Sequence, residues 1–293
     1  MSGQWVLLGA PLDSAGEGQG EERAPQALRA AGFGERLGMR DAGDVVAPLR
    51  DSERDGPTGV IAAAQLAAAS ATLRDTVAST LRTGGLPFVL GGDCSLLPGA
   101  LAGARMARGP LALWMIDGHP DALDGESSPT GEAADMDLAI VLGRGAPALT
   151  GLAGAVPMIE PEHVALIGHR PASLGPDVAA ELALVPLAVR QTTALEARAR
   201  GPGKVARVTL IEDAGRPAWL HIDVDALDAQ VLPAVSYPQP DGLRWEELVA
   251  LIAPLLAAPH LAGVSLADFN ADHDGAGDHA RRLVDALAEA WPH

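Results

Sequence analysis

Residues 217–228 read Pro-Ala-Trp-Leu-His-Ile-Asp-Val-Asp-Ala-Leu-Asp, and this stretch indicates the class of fold. A short apolar run over residues 219–222 passes directly into carboxylates at Asp223, Asp225 and Asp228. Strands of parallel sheets are buried on both faces, so they read as short, nearly continuous apolar runs. Open parallel sheets bind their ligands outside the carboxyl ends of their strands. The stretch therefore predicts a buried parallel strand that delivers acidic side chains to a site.

Three further apolar runs end in polar clusters. Residues 88–90 run into Gly91-Gly-Asp-Cys-Ser95, residues 114–116 into Asp117-Gly-His-Pro-Asp121, and residues 264–267 into Asp268-Phe-Asn270. The carboxyl ends of parallel strands lie at one edge of a sheet. We therefore expect the four clusters to converge on one crevice.

Apolar runs alternate with Ala- and Leu-rich stretches of helical length along the chain. Such alternation is typical of a mostly parallel sheet covered by helices on both faces. We predict strands at residues 5–9, 87–90, 111–116, 164–167, 183–185, 219–222 and 263–266. Helices or parts of helices are predicted at residues 60–81, 178–182 and 246–256. The prediction is a single α/β domain over residues 1–293, a three-layer α/β/α sandwich with a central, mostly parallel sheet.

Charge and composition narrow the classes of partner. The formal net charge is −17, and a negative surface repels nucleic acids and anionic membranes. It suits a cationic substrate or cations bound among carboxylates. Cys94 is the single cysteine, so an internal disulfide is excluded. Because neither a signal peptide nor a bilayer-length apolar run is recognisable, we expect a cytoplasmic protein.

The spacing of the acids favours a metal centre. In an extended segment, residues two apart point to the same face, so Asp117, His119 and Asp121 can share a face, as can Asp223 and Asp225. Crowded carboxylates repel one another and lose hydration unless cations lie between them. Oxygen and nitrogen ligands in this ratio suit Mn²⁺ or a similar first-row ion, with carboxylates bridging a pair. Each motif alone also has a plainer interpretation, such as a turn or a helix cap.

Together the motifs resemble those of the arginase, agmatinase and formimidoylglutamase superfamily, the ureohydrolases. The resemblance extends over most of the chain. The amino-terminal signatures are matched by Gly9-Ala-Pro-Leu-Asp13, by the stretch Ala24-Pro25…Arg29 and by Asp41-Ala-Gly-Asp44. The three metal motifs are matched, in order, by Gly91-Gly-Asp-Cys-Ser95, Asp117-Gly-His-Pro-Asp121 and Asp223-Val-Asp-Ala-Leu-Asp228. The resemblance implies an arginase-like fold, a homo-oligomer, and hydrolysis of a C–N bond in a guanidino, hydroxyguanidino or amidino compound.

The resemblance also assigns the ligands of two divalent ions, with Mn²⁺ as the expected metal. Asp117 and Asp223 would bridge the ions. Two further ligands would complete the shell of each ion: Cys94 and Asp121 for the first, His119 and Asp225 for the second. The ion pair would activate a water for attack on the planar carbon of the substrate.

Three other roles follow from the same resemblance. Asp121 would also receive a proton from the attacking water. Asp268 would pair with the cationic group of the substrate, where a charge-assisted contact fixes orientation. Thr130 would place a hydroxyl at a substrate-recognition position.

The chain departs from the family pattern at several of these positions. Cys94 stands where a metal-binding histidine is usual, and thiolate is a softer ligand than imidazole. Ala134 stands where arginases carry a loop histidine that transfers protons, and Leu123 where they use an asparagine for the α-carboxylate of arginine. Nearby Glu132, Asp135 and Asp137 are possible substitutes for the loop histidine, but we expect each to be a solvated loop acid.

These departures favour a divergent branch over an ordinary arginase. A cysteine in the first motif without a loop histidine also resembles the Nω-hydroxy-L-arginine hydrolase of D-cycloserine biosynthesis. The alternative function is a catalytically silent, arginase-like protein that binds metal and ligand, and the missing histidine is the reason to consider it. Deacetylase-like amide hydrolysis on a related scaffold fits less well, because the Asp223 and Asp225 pair suits two metals.

Overall fold

The computed structural model describes residues 3–292, whose strands form one eight-stranded sheet. The strands are β1 Trp5–Ala10, β2 Arg40–Asp44, β3 Leu86–Gly91, β4 Ala112–Ile116, β5 Val164–Ile167, β6 Arg190–Thr192, β7 Ala218–Asp223 and β8 Leu261–Ala267. Their order across the sheet is β2-β1-β3-β8-β7-β4-β5-β6. Every neighbouring pair is parallel. The predicted parallel sheet is confirmed.

Helices cover both faces of this sheet, which gives the predicted three layers. One hydrophobic cluster includes Leu7, Phe88 and Leu220, and the other includes Leu8, Val89 and Trp219, so successive strand residues face opposite layers. The α-helices are α1 Ala24–Ala30, α2 Phe33–Arg36, α3 Ala63–Arg82, α4 Leu97–Arg108, α5 Asp137–Val141, α6 Pro147–Thr150, α7 Pro176–Leu182, α8 Ala194–Arg200, α9 Pro202–Glu212, α10 Trp245–Leu256 and α11 Asp278–Ala290.

The two layers are formed by different parts of the chain. Residues of α1, α2 and α8–α11 belong to the first cluster, and residues of α3–α6 belong to the second. The three predicted helical stretches correspond to α3, α7 and α10. Among residues 3–292, no helix combines the length and apolar character needed to cross a membrane.

The sequence-based prediction failed at the two edges of the sheet. The edge strand β2 was not predicted, and the strand predicted at residues 183–185 is wrong, because those residues follow α7 and the edge strand β6 lies at Arg190–Thr192. Both edge strands carry polar side chains, which are mostly exposed in β2 and partly exposed in β6. An edge strand is less completely covered than a central one, so it lacks the continuous apolar run by which central strands are recognised.

Four central strands determine where the candidate site lies. β3, β8, β7 and β4 are consecutive neighbours in the sheet, and all four point the same way. Their carboxyl ends therefore lie side by side, and the four polar clusters of the sequence follow them directly.

Candidate metal centre

The first group of predicted ligands comes together at these strand ends. Ligand atoms of Cys94, Asp117, Asp121 and Asp223 lie within 4.8 Å of one another. All four side chains are buried, with at most 6% exposed. The Cys94 thiol donates to Asp223 Oδ2 over 3.1 Å. These residues come from three strand ends far apart in the sequence, so the predicted convergence of the clusters is present.

A second group lies on the other side of Asp117. Ligand atoms of Asp117, His119 and Asp225 also lie within 4.8 Å of one another. His119 Nδ1 is 2.7 Å from Asp225 Oδ2, and the backbone N–H of Gly118 donates to Asp225 Oδ1 over 3.0 Å. A Cβ atom on residue 118 would lie 2.6 Å from Asp225 Oδ1 and 2.5 Å from a guanidinium nitrogen of Arg170. Glycine is therefore required for this close approach.

The charges in the two groups are only partly balanced by the protein, through His119 and the buried guanidinium of Arg170. Burial raises the pKa of Asp117, Asp121 and Asp223 well above the usual range, and neighbouring carboxylates raise it further. Asp225 differs: burial would raise its pKa, but the charge and hydrogen bond of His119 lower it. Asp117 Oδ2 has no hydrogen-bond partner within the described part of the chain. Closely packed buried acids with an unpaired oxygen fit a site built for cations.

Asp121 and Asp268 share an unusual backbone conformation. Their φ angles are 45° and 66°, in the left-handed region that non-glycine residues seldom occupy. Strain of this kind persists where the surrounding structure fixes the residue, often at functional sites. Burial, together with the charge of Asp93, raises the pKa of Asp268 to about 7. Both side chains line the pocket above the metal groups.

The pocket is strongly acidic beyond the metal groups. Glu21, Glu132, Asp135 and Glu181 line it in addition to the ligands and Asp268. Neither arginine nor lysine occurs among the described residues of the lining. Burial, with the charges of Asp93 and Asp135, raises the pKa of Glu132 to about 7. A cationic molecule is therefore favoured in the pocket over an anionic one.

Thr130 and Ala134 are also in the lining of the pocket. The Thr130 hydroxyl donates to Asp135 Oδ2 over 2.9 Å, and the Ser128 hydroxyl donates to the same oxygen over 2.7 Å. Thr130 is thus fixed at the pocket wall. The methyl group of Ala134 faces the pocket region without any group that could transfer a proton.

The interpretation of Asp137 as a solvated loop acid is wrong. Its side chain is fully buried at the start of α5, and neither carboxylate oxygen has a hydrogen-bond partner in the described chain. The sequence carried a signal for this burial, because the next four residues are the apolar run Leu138-Ala-Ile-Val141. Asp135 and Glu132 are half-buried rather than fully solvated.

Sequence reasoning also missed His221 as a site residue. It is completely buried on β7, and its Nε2 lies 3.1 Å from Cys94 Sγ. Ligand atoms of Cys94, Asp117 and His221 form a further group within 4.8 Å. Burial lowers the pKa of His221 to about 3, so the ring is neutral at ordinary pH. The signal available was a polar residue within an otherwise apolar strand, two positions before Asp223.

Comparisons with known proteins identify the family of the chain. The model of the Arginase family matches residues 3–291. The arginase of Bacillus caldovelox is 32% identical over 274 residues, which cover 90% of each chain. Arginase-1 of Homo sapiens is 27% identical over 277 residues, covering 90% of this chain and 84% of that protein.

Solved structures show the same similarity in three dimensions. The native structure of Bacillus caldovelox arginase at pH 5.6 superposes with a TM-score of 0.87 and 28% identity, covering 99% of both chains. Proclavaminate amidino hydrolase from Streptomyces clavuligerus shares the fold with a TM-score of 0.72 at 21% identity, covering 98% of this chain and 90% of that one. With the family model matching nearly the whole sequence, the chain belongs to the arginase family.

Proposed function

We propose that the protein hydrolyses a C–N bond of a guanidino, hydroxyguanidino or amidino compound at the metal centre. The observation that carries the proposal is the convergence of Cys94, Asp117, Asp121 and Asp223 beside a second group containing His119 and Asp225. Membership of the arginase family supports a hydrolase of this class. The acidic pocket above the centre supports a cationic substrate.

Two divalent ions fit the residues present. Asp117 belongs to both ligand groups, so it would bridge the ions. The family resemblance assigns the same role to Asp223, which lies in the first group. The group with His119 and Asp225 offers oxygen and nitrogen donors, which suit Mn²⁺. When bound, such a pair lowers the pKa of a water and stabilises charge that develops on the substrate.

Asp121 and Asp268 are the residues that we expect to act on the substrate side. Asp121 belongs to the first ligand group and also lines the pocket, so it can hold a proton released by water. Asp268 lies in the pocket beside the centre, where its carboxylate can pair with a planar guanidinium or amidinium group. Such a pair would fix the electrophilic carbon against the metal groups. Thr130 would contact a more distant part of the substrate.

The pocket lining favours substrates whose far end is cationic rather than anionic. Glu132, Asp135 and Glu181 offer no cationic partner to a carboxylate and repel it when they are ionised. Two like charges 4 Å apart repel by about 1–4 kcal/mol near a protein surface. Leu123 provides no amide to bind a carboxylate. A guanidino compound with a terminal amine is therefore the best match.

A matched pair of substrates tests this assignment. Agmatine and 4-guanidinobutyrate carry the same guanidino group on similar chains, but one ends in an amine and the other in a carboxylate. With Mn²⁺ present, we expect release of urea and a kcat/KM at least about tenfold higher for agmatine, the equivalent of about 1.4 kcal/mol. Arginine, Nω-hydroxyarginine and formimidoylglutamate complete the panel. If none of the five compounds is hydrolysed with Mn²⁺, Zn²⁺, Ni²⁺ or Fe²⁺, the proposed activity is wrong.

One observation favours a second candidate function, a silent metal- and ligand-binding protein. Ala134 in the pocket wall cannot transfer a proton to a leaving group. General acid–base help is commonly worth about 10²–10⁴-fold, so its loss slows chemistry without abolishing it. Tight binding of a guanidino ligand with no product after long incubation would favour the silent protein. Turnover of Nω-hydroxyarginine above that of arginine would instead support the D-cycloserine branch, which remains a prediction.

A further inference from the structure

His221 projects from the sheet into the region of the metal centre. Residues 219, 221 and 223 of β7 share one face, and Trp219 on that face packs in the same layer as α3–α6. The neighbouring strands place Met115 and Ser265 beside His221 in register. The imidazole is completely buried and its Nε2 approaches Cys94 Sγ to 3.1 Å.

The other ring nitrogen is held by a pair of buried side chains. His221 Nδ1 is 2.7 Å from Ser265 Oγ, and the Trp219 indole N–H donates to the same oxygen over 2.9 Å. Ser265 Oγ has a second lone pair that can accept the Nδ1–H. With the proton on Nδ1, His221 Nε2 presents a lone pair toward Cys94. Proteins commonly orient a metal-binding histidine in this way. If Ser265 donates to Nδ1 instead, Nε2 carries the proton and the contact with Cys94 is an ordinary core hydrogen bond.

Unpaired carboxylate oxygens surround this imidazole and thiol. Asp137 Oδ2 is 3.8 Å from His221 Nε2, beyond hydrogen-bond distance. Both oxygens of Asp137, and Asp117 Oδ2, lack hydrogen-bond partners among the residues that the structure describes. Buried polar atoms are nearly always paired, since leaving one unpaired costs roughly 1–3 kcal/mol. A cation between these groups would remove that cost.

We propose that Cys94, His221 and Asp117 form an inner metal position, and that this position selects Zn²⁺ or Co²⁺ over Mn²⁺. The three ligand atoms lie within 4.8 Å of one another. The family set of Cys94, Asp117, Asp121 and Asp223 shares two of these ligands, so one ion occupies either the inner position or the family position. The inference rests on the proposed function only in requiring that a metal binds beside Cys94.

The ligand chemistry accounts for the selectivity. Thiolate and imidazole together with one carboxylate are typical ligands of tetrahedral Zn²⁺, whereas Mn²⁺ prefers oxygen donors. Asp137, fully buried with Oδ2 3.8 Å from His221 Nε2, adds a further unpaired oxygen donor beside this position. In the family pattern, a histidine at the position of Cys94 supplies an imidazole to the metal. In this protein, we assign that imidazole to His221 on strand β7 instead.

The position of the ion can be read directly from crystals of the full chain, stripped of metal and then loaded with Zn²⁺. Anomalous scattering is expected to place one ion about 2.0–2.1 Å from His221 Nε2 and about 2.3 Å from Cys94 Sγ. An ion bound to Cys94, Asp121 and Asp223, with His221 Nε2 beyond bonding distance, would overturn the proposal.

A matched pair of variants tests the same point in solution. Mutation of a residue that orients a metal ligand typically lowers metal affinity by about 10–100-fold. Because His221 is proposed to bind the ion itself, His221→Ala is expected to lower Zn²⁺ affinity by more than this. The control His169→Ala removes another buried histidine, one hydrogen-bonded to the Arg170 carbonyl, and is expected to retain wild-type affinity. Equal Zn²⁺ affinity in His221→Ala and the wild type would refute the inner position. His221→Gln keeps most of the volume and replaces His221→Ala if the latter does not fold.

Cobalt spectra provide a further measurement that does not depend on hydrolysis. We expect Co²⁺ to give a thiolate charge-transfer band that is lost in Cys94→Ser, and ligand-field bands that change in His221→Ala. A His221→Ala spectrum identical to that of the wild type would contradict the proposal. A protein that binds Zn²⁺ through His221 but hydrolyses no guanidino compound would overturn the proposed function and leave the inner position intact.

Discussion

The two sides of the metal centre, built on the same strand ends, differ in their chemistry. On the outer side, Asp117, His119 and Asp225 offer oxygen and nitrogen donors beside an open pocket, and His119 is half-buried. On the inner side, Cys94 and His221 offer sulfur and nitrogen and are both fully buried. The outer ligands come from loops that follow strands, whereas His221 lies within a strand. Under the proposed assignment, one edge of the fold binds cations on both sides, and a few side chains set which cation each side prefers.

The largest expected effect is the loss of metal from both sides of the centre at once. Asp117 belongs to the ligand groups on either side, so Asp117→Asn removes the shared carboxylate. We expect the loss of metal from both positions and a fall in guanidine hydrolysis of about 10³-fold or more, because metals stabilise the transition state by several kcal/mol. Elemental analysis per chain and urea release measure the two effects. Asp124→Asn, in the loop after the same strand, is the control. Retention of two metals by Asp117→Asn would show that the two sides bind metal without a shared Asp117 carboxylate.

The next largest effect is expected from Cys94→His, which changes the metal preference of the inner side only. Imidazole in place of thiolate makes the inner side resemble the outer one, so the preference for Zn²⁺ over Mn²⁺ should fall. Competition between the two ions, followed by elemental analysis, measures the ratio. We expect the ratio of Zn²⁺ to Mn²⁺ bound to decrease at least about tenfold, since changes around a metal ligand commonly alter affinity by about 10–100-fold. An unchanged ratio would mean that Cys94 does not contact the metal, and His119→Ala serves as the matched change on the outer side.

A smaller effect is expected from the residue that orients His221. Ser265→Ala removes the partner of His221 Nδ1 and of the Trp219 indole. Loss of such an orienting contact typically costs about 10–100-fold in metal affinity. Zn²⁺ affinity should fall within that range while Mn²⁺ binding at the outer side changes little. Ser70→Ala deletes a buried hydroxyl that has no hydrogen-bond partner in the described structure, and it is expected to bind Zn²⁺ normally.

The smallest expected effect concerns the mouth of the pocket. Burial raises the pKa of Glu132 to about 7, above the ordinary value of 4.5 for a glutamate. The folded metal-free protein therefore binds more protons than the unfolded chain between these values, and this carboxyl reduces stability as pH rises from 4.5 through 7. Glu132→Gln should raise the Tm of the metal-free protein at pH 8 more than at pH 5. Glu126→Gln changes an exposed acid of the same loop, and an equal response in the two variants would contradict the assignment.

The sequence alone determined the central sheet and predicted the acidic residues of the candidate site. Continuous apolar runs identified β1, β3, β4, β5, β7 and β8, since buried parallel strands have few polar residues. Acids spaced two apart at strand ends predicted that Asp117, His119, Asp121, Asp223 and Asp225 lie together around cations, because side-chain alternation is a local property of the chain, and the family resemblance predicted their roles as ligands. The edge strands β2 and β6 lacked that local signal.

Only the tertiary structure brought His221 and Asp137 to Cys94 on the inner side. Cys94, Asp137 and His221 are separated by 43 and 84 positions in the sequence, and each taken alone is typical of an ordinary core or loop residue. Their proximity depends on β7 and β8 lying between β3 and β4 in the sheet and on α5 packing over that face. Strand order is set by how the whole core packs, and no local pattern records it. The sequence therefore specified which residues could bind a cation, and packing determined which of them meet.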